Sequence, residues 1–410
     1  MNNHETKIEQ ATRMPSADVP PDGLGWIDVV SDIVKDSSLV GIGESAHFVA
    51  EFNSARTSLV RHLIDCHEFD AIALECSHHQ AEKLNCWLDS PDPEDDISKF
   101  SGPLTTGIYG SFLIWLKAYL GESGRKVRIV GADIPNTFSP VNEYEFLYAE
   151  LYHLDPSLSD QLEELRTILS GVCGESAVLS AMSWSSLKAP ERDRAFSIVS
   201  RFRLRHEALA PELERRFPKG RLDRVYSDLV ALQYTLEALF GMSALFSGHA
   251  IEAETSARDH FMAESVKGYL KHHSQSKLIF LAHNNHIQKL PVVFSGELAG
   301  IPAGQHLASV PGYRAIALTH LGDTVPEMHF PDTESPVGFS VADEKAAPVG
   351  VGSVEDLVPD EADVMQVIPL AGVSPSSIRS QSSIADVDVK EAFDLVICLK
   401  RATKDLMVQF

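Results

Sequence analysis

A chain of 410 residues, 44% of them hydrophobic and 23% charged, has the composition of a soluble globular protein with one large α/β domain or two smaller ones. Its 35 basic and 58 acidic side chains leave a net charge of −23, which repels phosphate backbones and excludes nucleic acid as a partner. The polar N-terminus has no apolar signal region, and no run reaches the roughly 18–20 apolar residues of a membrane span, so no membrane association and a cytoplasmic location are expected.

Residues 1–22, with Pro15, Pro20 and Pro21, read as a flexible lead-in. Trp26 to Val34 has helical spacing. The first strand is expected over Leu39–Gly43, followed by an amphipathic helix from Ala50 to Cys66 with apolar residues at Phe52, Ala55, Leu59, Val60, Leu63 and Ile64. A second strand, Ala71–Leu74, leads to a helix through Ala81, Leu84 and Leu88, then to an acidic loop over Asp89–Asp96. Another helix, Phe112–Leu120, precedes a third strand, Lys126–Val130. Strands that alternate with helices in this way are the pattern of parallel βαβ units.

The pattern then changes. From Val141 to His273 there is almost no strand signal, and helical segments run through Tyr144–Leu151, Gln161–Leu169, Arg192–Ala210, Asp223–Phe240 and Thr255–Tyr269. Pro140, Pro156, Pro190, Pro211 and Pro218 are expected to punctuate them. Strands resume at Lys277–Leu281 and Arg314–Leu318, weakly at Glu327–Phe330, then at Val364–Ile368 and Phe393–Leu399. The expected fold is therefore α/β, with a mostly parallel central sheet flanked by helices. Residues 23–140 and 275–410 form its core, and residues 141–274 form a large helical insertion or cap able to cover a substrate.

Three of the apolar runs end in acid–base residues: Gly43-Glu-Ser-Ala-His47, Leu74-Glu75, and Leu281-Ala-His-Asn-Asn-His286. Ligands of parallel sheets bind beyond the carboxyl ends of the strands, where Glu44, His47, Glu75, His283 and His286 fall. Glu44 and His47 share a face if the chain turns into a helix there, although Glu44 also suits a helix N-terminus. Glu75 needs a partner such as a histidine or Arg56, which lies about two and a half helical turns after His47. His283 and His286 have a spacing that suits metal ligation, with Glu44 or Glu75 completing a Zn²⁺ site. His78 and His79, beside Glu75 in sequence, are further candidates for the pocket.

Five cysteines, Cys66, Cys76, Cys86, Cys173 and Cys398, have no metal-like spacing and read as reduced thiols. There is no Gly-x-Ser-x-Gly elbow, no Walker A sequence and no dinucleotide fingerprint. A site rich in His and Glu without a side-chain nucleophile points to water as the nucleophile. A neutral histidine near pH 7 is its base, and a carboxylate fixes the tautomer.

At these residues the chain resembles the erythromycin esterase family. The resemblance rests on Gly43-Glu-Ser-Ala-His47, the run closing on Glu75, Arg258-Asp-His-Phe-Met-Ala-Glu264, Leu281-Ala-His-Asn-Asn-His-Ile287, Gly304-Gln-His-Leu307 and the terminal Phe393-Asp strand. It implies an α/β fold with a helical insertion, a deep cleft, and hydrolysis of a macrolactone or related bulky polyketide-like ester by activated water. His47 matches the general base, Glu75 a residue that orients or polarises the catalytic group, and Glu44 a further polar group of the catalytic set. Arg56, Arg258, His283 and His286 match residues on the substrate side. No cofactor is required, and the resemblance leaves a divalent metal such as zinc open.

Three departures stand out. Leu104-Thr-Thr-Gly-Ile108 replaces a Trp-x-Thr-x-Glu-like pattern, Ala46 replaces a threonine, and His78-His79 follows Glu75. They keep open a biosynthetic enzyme that uses the same cleft for acyl transfer, cyclisation or elimination, and a metal- or ligand-binding protein without catalysis.

Overall fold

The computed structural model describes residues 24–92, 95–135, 141–172, 176–249, 251–332, 334–359 and 365–410; the lead-in at 1–22 lies outside the described residues, as do Pro140, Cys173 and Val364. The first half of the core comprises α1 (Leu24–Val34), β1 (Leu39–Ile42), α2 (Ala50–His67), β2 (Ala71–Leu74), α3 (His78–Leu88), α4 (Pro103–Ser123) and β3 (Arg128–Gly131). Six helices follow: α5 (Val141–Leu154), α6 (Ser159–Ser170), α7 (Ala177–Ser186), α8 (Ala189–Arg216), α9 (Lys219–Phe246) and α10 (Ser256–His272). The chain then returns through β4 (Leu278–Leu281), α11 (Asn284–Ile287), the hairpin β5 (Val292–Phe294) and β6 (Glu297–Gly300), and α12 (Ala303–Leu307). The remainder is β7 (Arg314–His320), β8 (Thr324–His329), β9 (Ser340–Lys345), β10 (Gln366–Ile368), β11 (Ser377–Ser380), β12 (Ser383–Asp386), α13 (Val389–Ala392) and β13 (Leu395–Leu399).

Seven strands form the central sheet in the order β10-β13-β7-β1-β4-β2-β3. All neighbours run parallel except β10, which pairs antiparallel with β13 at one edge. Because β1, β2 and β4 are buried on both faces, every position is apolar or glycine. Alternate residues serve two different cores. Ile42, Leu74 and Leu281 pack with α2 and α4 on one face, whereas Leu39, Ala73 and Phe280 pack with Met262 and Val266 of α10 on the other. The returning strand β4 is inserted between β1 and β2, and Ile42 and Leu74 both pair with Leu281. The three strands therefore stop at one level.

The helices from α5 to α9 enclose a core of their own, with Leu147, Leu165, Trp184, Phe202, Val225 and Leu232 buried in it. Helix α10, although inside the span expected as a cap, buries Met262, Ala263 and Val266 against the sheet. Pro211 does not break α8; the helix continues through it because Phe202 before it and Leu213 after it are both anchored in the helical core. Helix α4 starts at Pro103, well before the expected Phe112. Its glycines disguise it: Gly107 and Gly110 leave room for Phe410 and Met407 of the C-terminal segment.

His320 closes β7 and is fully buried; burial, and secondarily the Arg379 cation, push its pKa down to about 3. The folded value lies below the unfolded one, so the unfolded chain takes up the proton first as pH falls. The wild type should lose up to about 1.4 kcal/mol of stability per pH unit through this group between about pH 6.5 and pH 3. Urea unfolding of His320→Asn should show a pH slope shallower by that amount; equal slopes would contradict the assignment.

Candidate active site

Beyond Ile42 the chain turns rather than entering a helix, and α2 begins only at Ala50. Gly43 is required where the turn starts. A Cβ there would lie 1.9 Å from Asn284 Oδ1 and 2.9 Å from Ile287. Asn284 N–H donates to the Glu44 carbonyl (2.8 Å), locking this turn to the one that follows β4. Phe48 completes it with φ 68°, in the left-handed region. The Glu44–His47 pair thus forms within an irregular turn, and the N-cap of α2 is Val49, so Glu44 does not cap that helix.

His47 donates from Nδ1 to Glu44 Oε1 (2.7 Å), because a carboxylate can only accept, and in the neutral ring this puts the lone pair on Nε2. The other carboxylate oxygen accepts from Arg56 Nη1 (2.7 Å), whose Nη2 donates to the Ala282 carbonyl (2.8 Å). Arg56 is fully buried, not a surface residue, and it serves Glu44 rather than Glu75. Its guanidinium lies 5.8 Å from the ring centre of Tyr109, whose hydroxyl donates to the Leu281 carbonyl.

Glu75 is also buried, and its Oε1 accepts from the His283 backbone N–H (2.5 Å). Its Oε2 is 3.7 Å from Arg258 Nη2 and 3.8 Å from His286 Nε2. Glu75 therefore faces His286; the carboxylate that orients His47 is Glu44. Arg258, at the start of α10, forks onto Asp133 with Nε and Nη2 (3.0 and 2.6 Å).

The two later histidines differ. His283 caps α11: its Nδ1 accepts from Asn285 N–H (3.1 Å), and its Nε2 donates to the Ser45 carbonyl (2.9 Å). Burial, reinforced by His47 and His286 nearby, holds its pKa well below the usual value. It is a neutral brace with both ring nitrogens engaged, its ring centre 5.2 Å from that of His47. His286 pairs through Nδ1 with Asp259 Oδ1 (2.8 Å). Burial lowers its pKa, but the Asp259 and Glu75 carboxylates outweigh that and the net shift is upward.

All seven residues selected from the sequence, Glu44, His47, Arg56, Glu75, Arg258, His283 and His286, meet at the end of β1, β4 and β2. His78 and His79 do not join them. His78 is exposed beside Glu82, and His79 reaches Asp228 on α9 (3.2 Å). Asp259, Asp133 and Tyr109 belong to the cluster but were not singled out; Asp259 lies in the Arg258–Glu264 motif, the only sequence signal for it. A zinc site does not fit this geometry, since both His283 ring nitrogens are engaged and no group of three or more His, Cys, Asp or Glu side chains among the described residues is placed to hold a metal ion. A cavity of about 560 Å³ between the β5–β6 and β11–β12 hairpins contains none of the seven and is not the site of this chemistry.

A mostly parallel sheet that brings carboxylate–imidazole pairs to one edge, beside a large helical region, defines an α/β protein with an acid–base cluster at its strand ends. The chain belongs to the erythromycin esterase family: the family model for erythromycin esterase matches residues 64–401. That span includes Glu75, Arg258, His283 and His286, while Glu44, His47 and Arg56 precede it. The chain is 42% identical to the erythromycin esterase type I of Escherichia coli over 384 residues, 93% of this chain and 95% of that protein. It is 25% identical to the type II enzyme of the same organism, over 94% of each. A solved structure of an erythromycin esterase mutant in its open conformation superposes with a TM-score of 0.89 at 40% identity, covering 93% of this chain and 95% of the other. A Bacillus cereus protein, at 16% identity and a TM-score of 0.69 over 98% of this chain and 99% of its own, shares the fold. No helix among the described residues is long and apolar enough to cross a membrane.

Arg56→Ala leaves Glu44 buried without its cation and should destabilise the fold by about 3–5 kcal/mol. Arg56→Lys replaces the planar fork, whose two nitrogens serve Glu44 and the Ala282 carbonyl separately, by a single ammonium and should also be less stable than wild type. Chemical denaturation checks both, and an unchanged midpoint for Arg56→Ala would refute a structural role for the pair.

Proposed function

We propose that this protein hydrolyses the ester bond of a macrolide lactone, using water activated by His47. The observation that carries the reading is the Glu44–His47 contact. A carboxylate fixed by Arg56 holds Nδ1–H, so Nε2 is the accepting nitrogen. In this mechanism Nε2 takes a proton from water as the water oxygen bonds to the ester carbonyl carbon. The tetrahedral adduct then collapses, the carbon–alkoxide bond breaks, and the ring opens to a carboxylic acid and an alcohol, consuming one water. Glu44 stabilises the imidazolium formed on His47, and Arg56 keeps Glu44 from turning away.

Macrolide ester as the substrate class follows from the relatives, which are named erythromycin esterases. The helical cap suits a bulky substrate. Thr235 on α9 donates to the Pro135 carbonyl beyond β3, and Arg224 on the same helix pairs with Glu82 of α3 (2.8 Å), tying the cap to the sheet edge.

Incubation with erythromycin in heavy-oxygen water should give a product heavier by one water, with the label in the new carboxyl group. His47→Asn should lower kcat by about 10²–10⁴ while the fold is retained. Turnover without addition of water would favour a biosynthetic transfer, cyclisation or elimination, and near-normal hydrolysis by His47→Asn would overturn the mechanism.

A further inference from the structure

The cluster contains a second carboxylate–imidazole pair that the water-activating step does not use. We propose that Asp259 is a positioning residue that holds His286 as the proton donor to the departing alkoxide, opposite in task to His47. The inference rests on the hydrolytic reading above.

Asp259 lies in the first turn of α10 and is buried. Its Oδ1 accepts both from His286 Nδ1 (2.8 Å) and from the backbone N–H of Ala303 at the start of α12 (2.8 Å). The carboxylate is thereby fixed by a backbone it cannot leave, and the ring it holds presents Nε2 to Glu75. His47 is held in the same sense, by Nδ1 on a carboxylate, with Nε2 left over.

What differs is the charge around each ring. The carboxylate behind His47 is matched directly by the Arg56 cation. Three carboxylates surround His286 and its partners: Asp259, Glu75 and, through Arg258, Asp133. One guanidinium, Arg258, stands against them, and the neighbouring His283 is neutral. A proton on His286 brings that group closer to balance, in line with the upward direction of its pKa. Two imidazoles at one sheet edge are thus set apart, one whose carboxylate is matched by a cation and one whose surrounding carboxylates favour a proton on it.

Ester hydrolysis needs both. Water gives up a proton when its oxygen bonds to the carbonyl carbon, and the alkoxide must gain one when its bond to that carbon breaks. His47 takes the first and His286 Nε2–H supplies the second. The enzyme resets when the proton left on His47 passes through solvent to His286. Acid and alcohol are formed from ester and one water, with no other reactant.

Two measurements test this. Imidazole NMR titration of the unaltered protein, with the His286 signal identified by its absence in His286→Asn, should give a pKa above the ordinary value of about 6.5. A value below that refutes the proposal whether or not any macrolide is hydrolysed. The second is the pH profile of kcat/KM on erythromycin. Asp259→Asn keeps the shape and an acceptor for Ala303 but removes the charge, so the alkaline limb should move to lower pH. The loss should reach about 10–10²-fold on that limb and be smaller near pH 6. Asp259→Glu should return the limb towards its wild-type position. A uniform loss with the limb unmoved would show Asp259 to be merely structural and overturn the assignment. If Asp259→Asn does not fold, the wild-type titration decides alone. Absence of macrolide hydrolysis by the wild type would remove the hydrolytic reading while leaving the titration result intact.

Discussion

One buried cation holds the site together. Arg56 reaches from α2 to the two strand ends that matter, giving one nitrogen to Glu44 beyond β1 and another to the Ala282 carbonyl beyond β4. The side chain is fully excluded from solvent, so its charge is tolerable only because Glu44 answers it. Glu44 then has one oxygen left, and that oxygen fixes the orientation of His47. A surface ion pair would leave each partner free to rotate; here the geometry is set before any ligand arrives, which is the condition for electrostatic preorganisation.

The rest of the cluster follows from the level at which three strands end. Because Ile42, Leu74 and Leu281 pair across the sheet, the residues immediately beyond them compete for the same small volume. His283 resolves the crowding by being neutral and fully hydrogen-bonded, a spacer between two rings that would otherwise repel when charged. The packing leaves some polar atoms without partners among the described residues: Ser45 Oγ, Asn284 Oδ1 and Arg56 Nε. Phe48 adds a left-handed backbone that a residue with a Cβ adopts at a cost of about 1–3 kcal/mol. Unsatisfied atoms and backbone strain gathered at one strand edge mean that the sheet and its two cores supply the stability the site itself lacks.

Much of this was legible in the chain. Strands β1, β2 and β4 announce themselves because burial on both faces demands unbroken apolar runs, and a carboxylate or histidine directly after such a run is conspicuous. Asp259 and Tyr109 are not conspicuous, since each sits inside a helix where a polar or aromatic residue has many ordinary reasons to occur. Their parts depend on the insertion of β4 between β1 and β2, a long-range event that local spacing does not encode. The hairpins β5–β6 and β11–β12 escape for a different reason: strands of three or four residues in Gly- and Ser-rich sequence have too short a pattern to detect. Pro211 misleads because local propensity marks a break, while anchors on both sides keep α8 whole.

The separation of cores divides the labour of the molecule. All seven side chains chosen from the sequence, and Asp133, Tyr109 and Asp259 with them, arise from the sheet edge or from helices packed on the sheet. The helical region from α5 to α9 contributes none. It meets the core in part through polar contacts, among them His79 with Asp228 and Arg224 with Glu82. Contacts of this kind give less energy per unit area than an apolar interface and depend more on exact placement. The acid–base side chains are therefore supplied without any residue from these helices. The fold itself tolerates wide sequence change, since a Bacillus cereus protein at 16% identity retains it with a TM-score of 0.69.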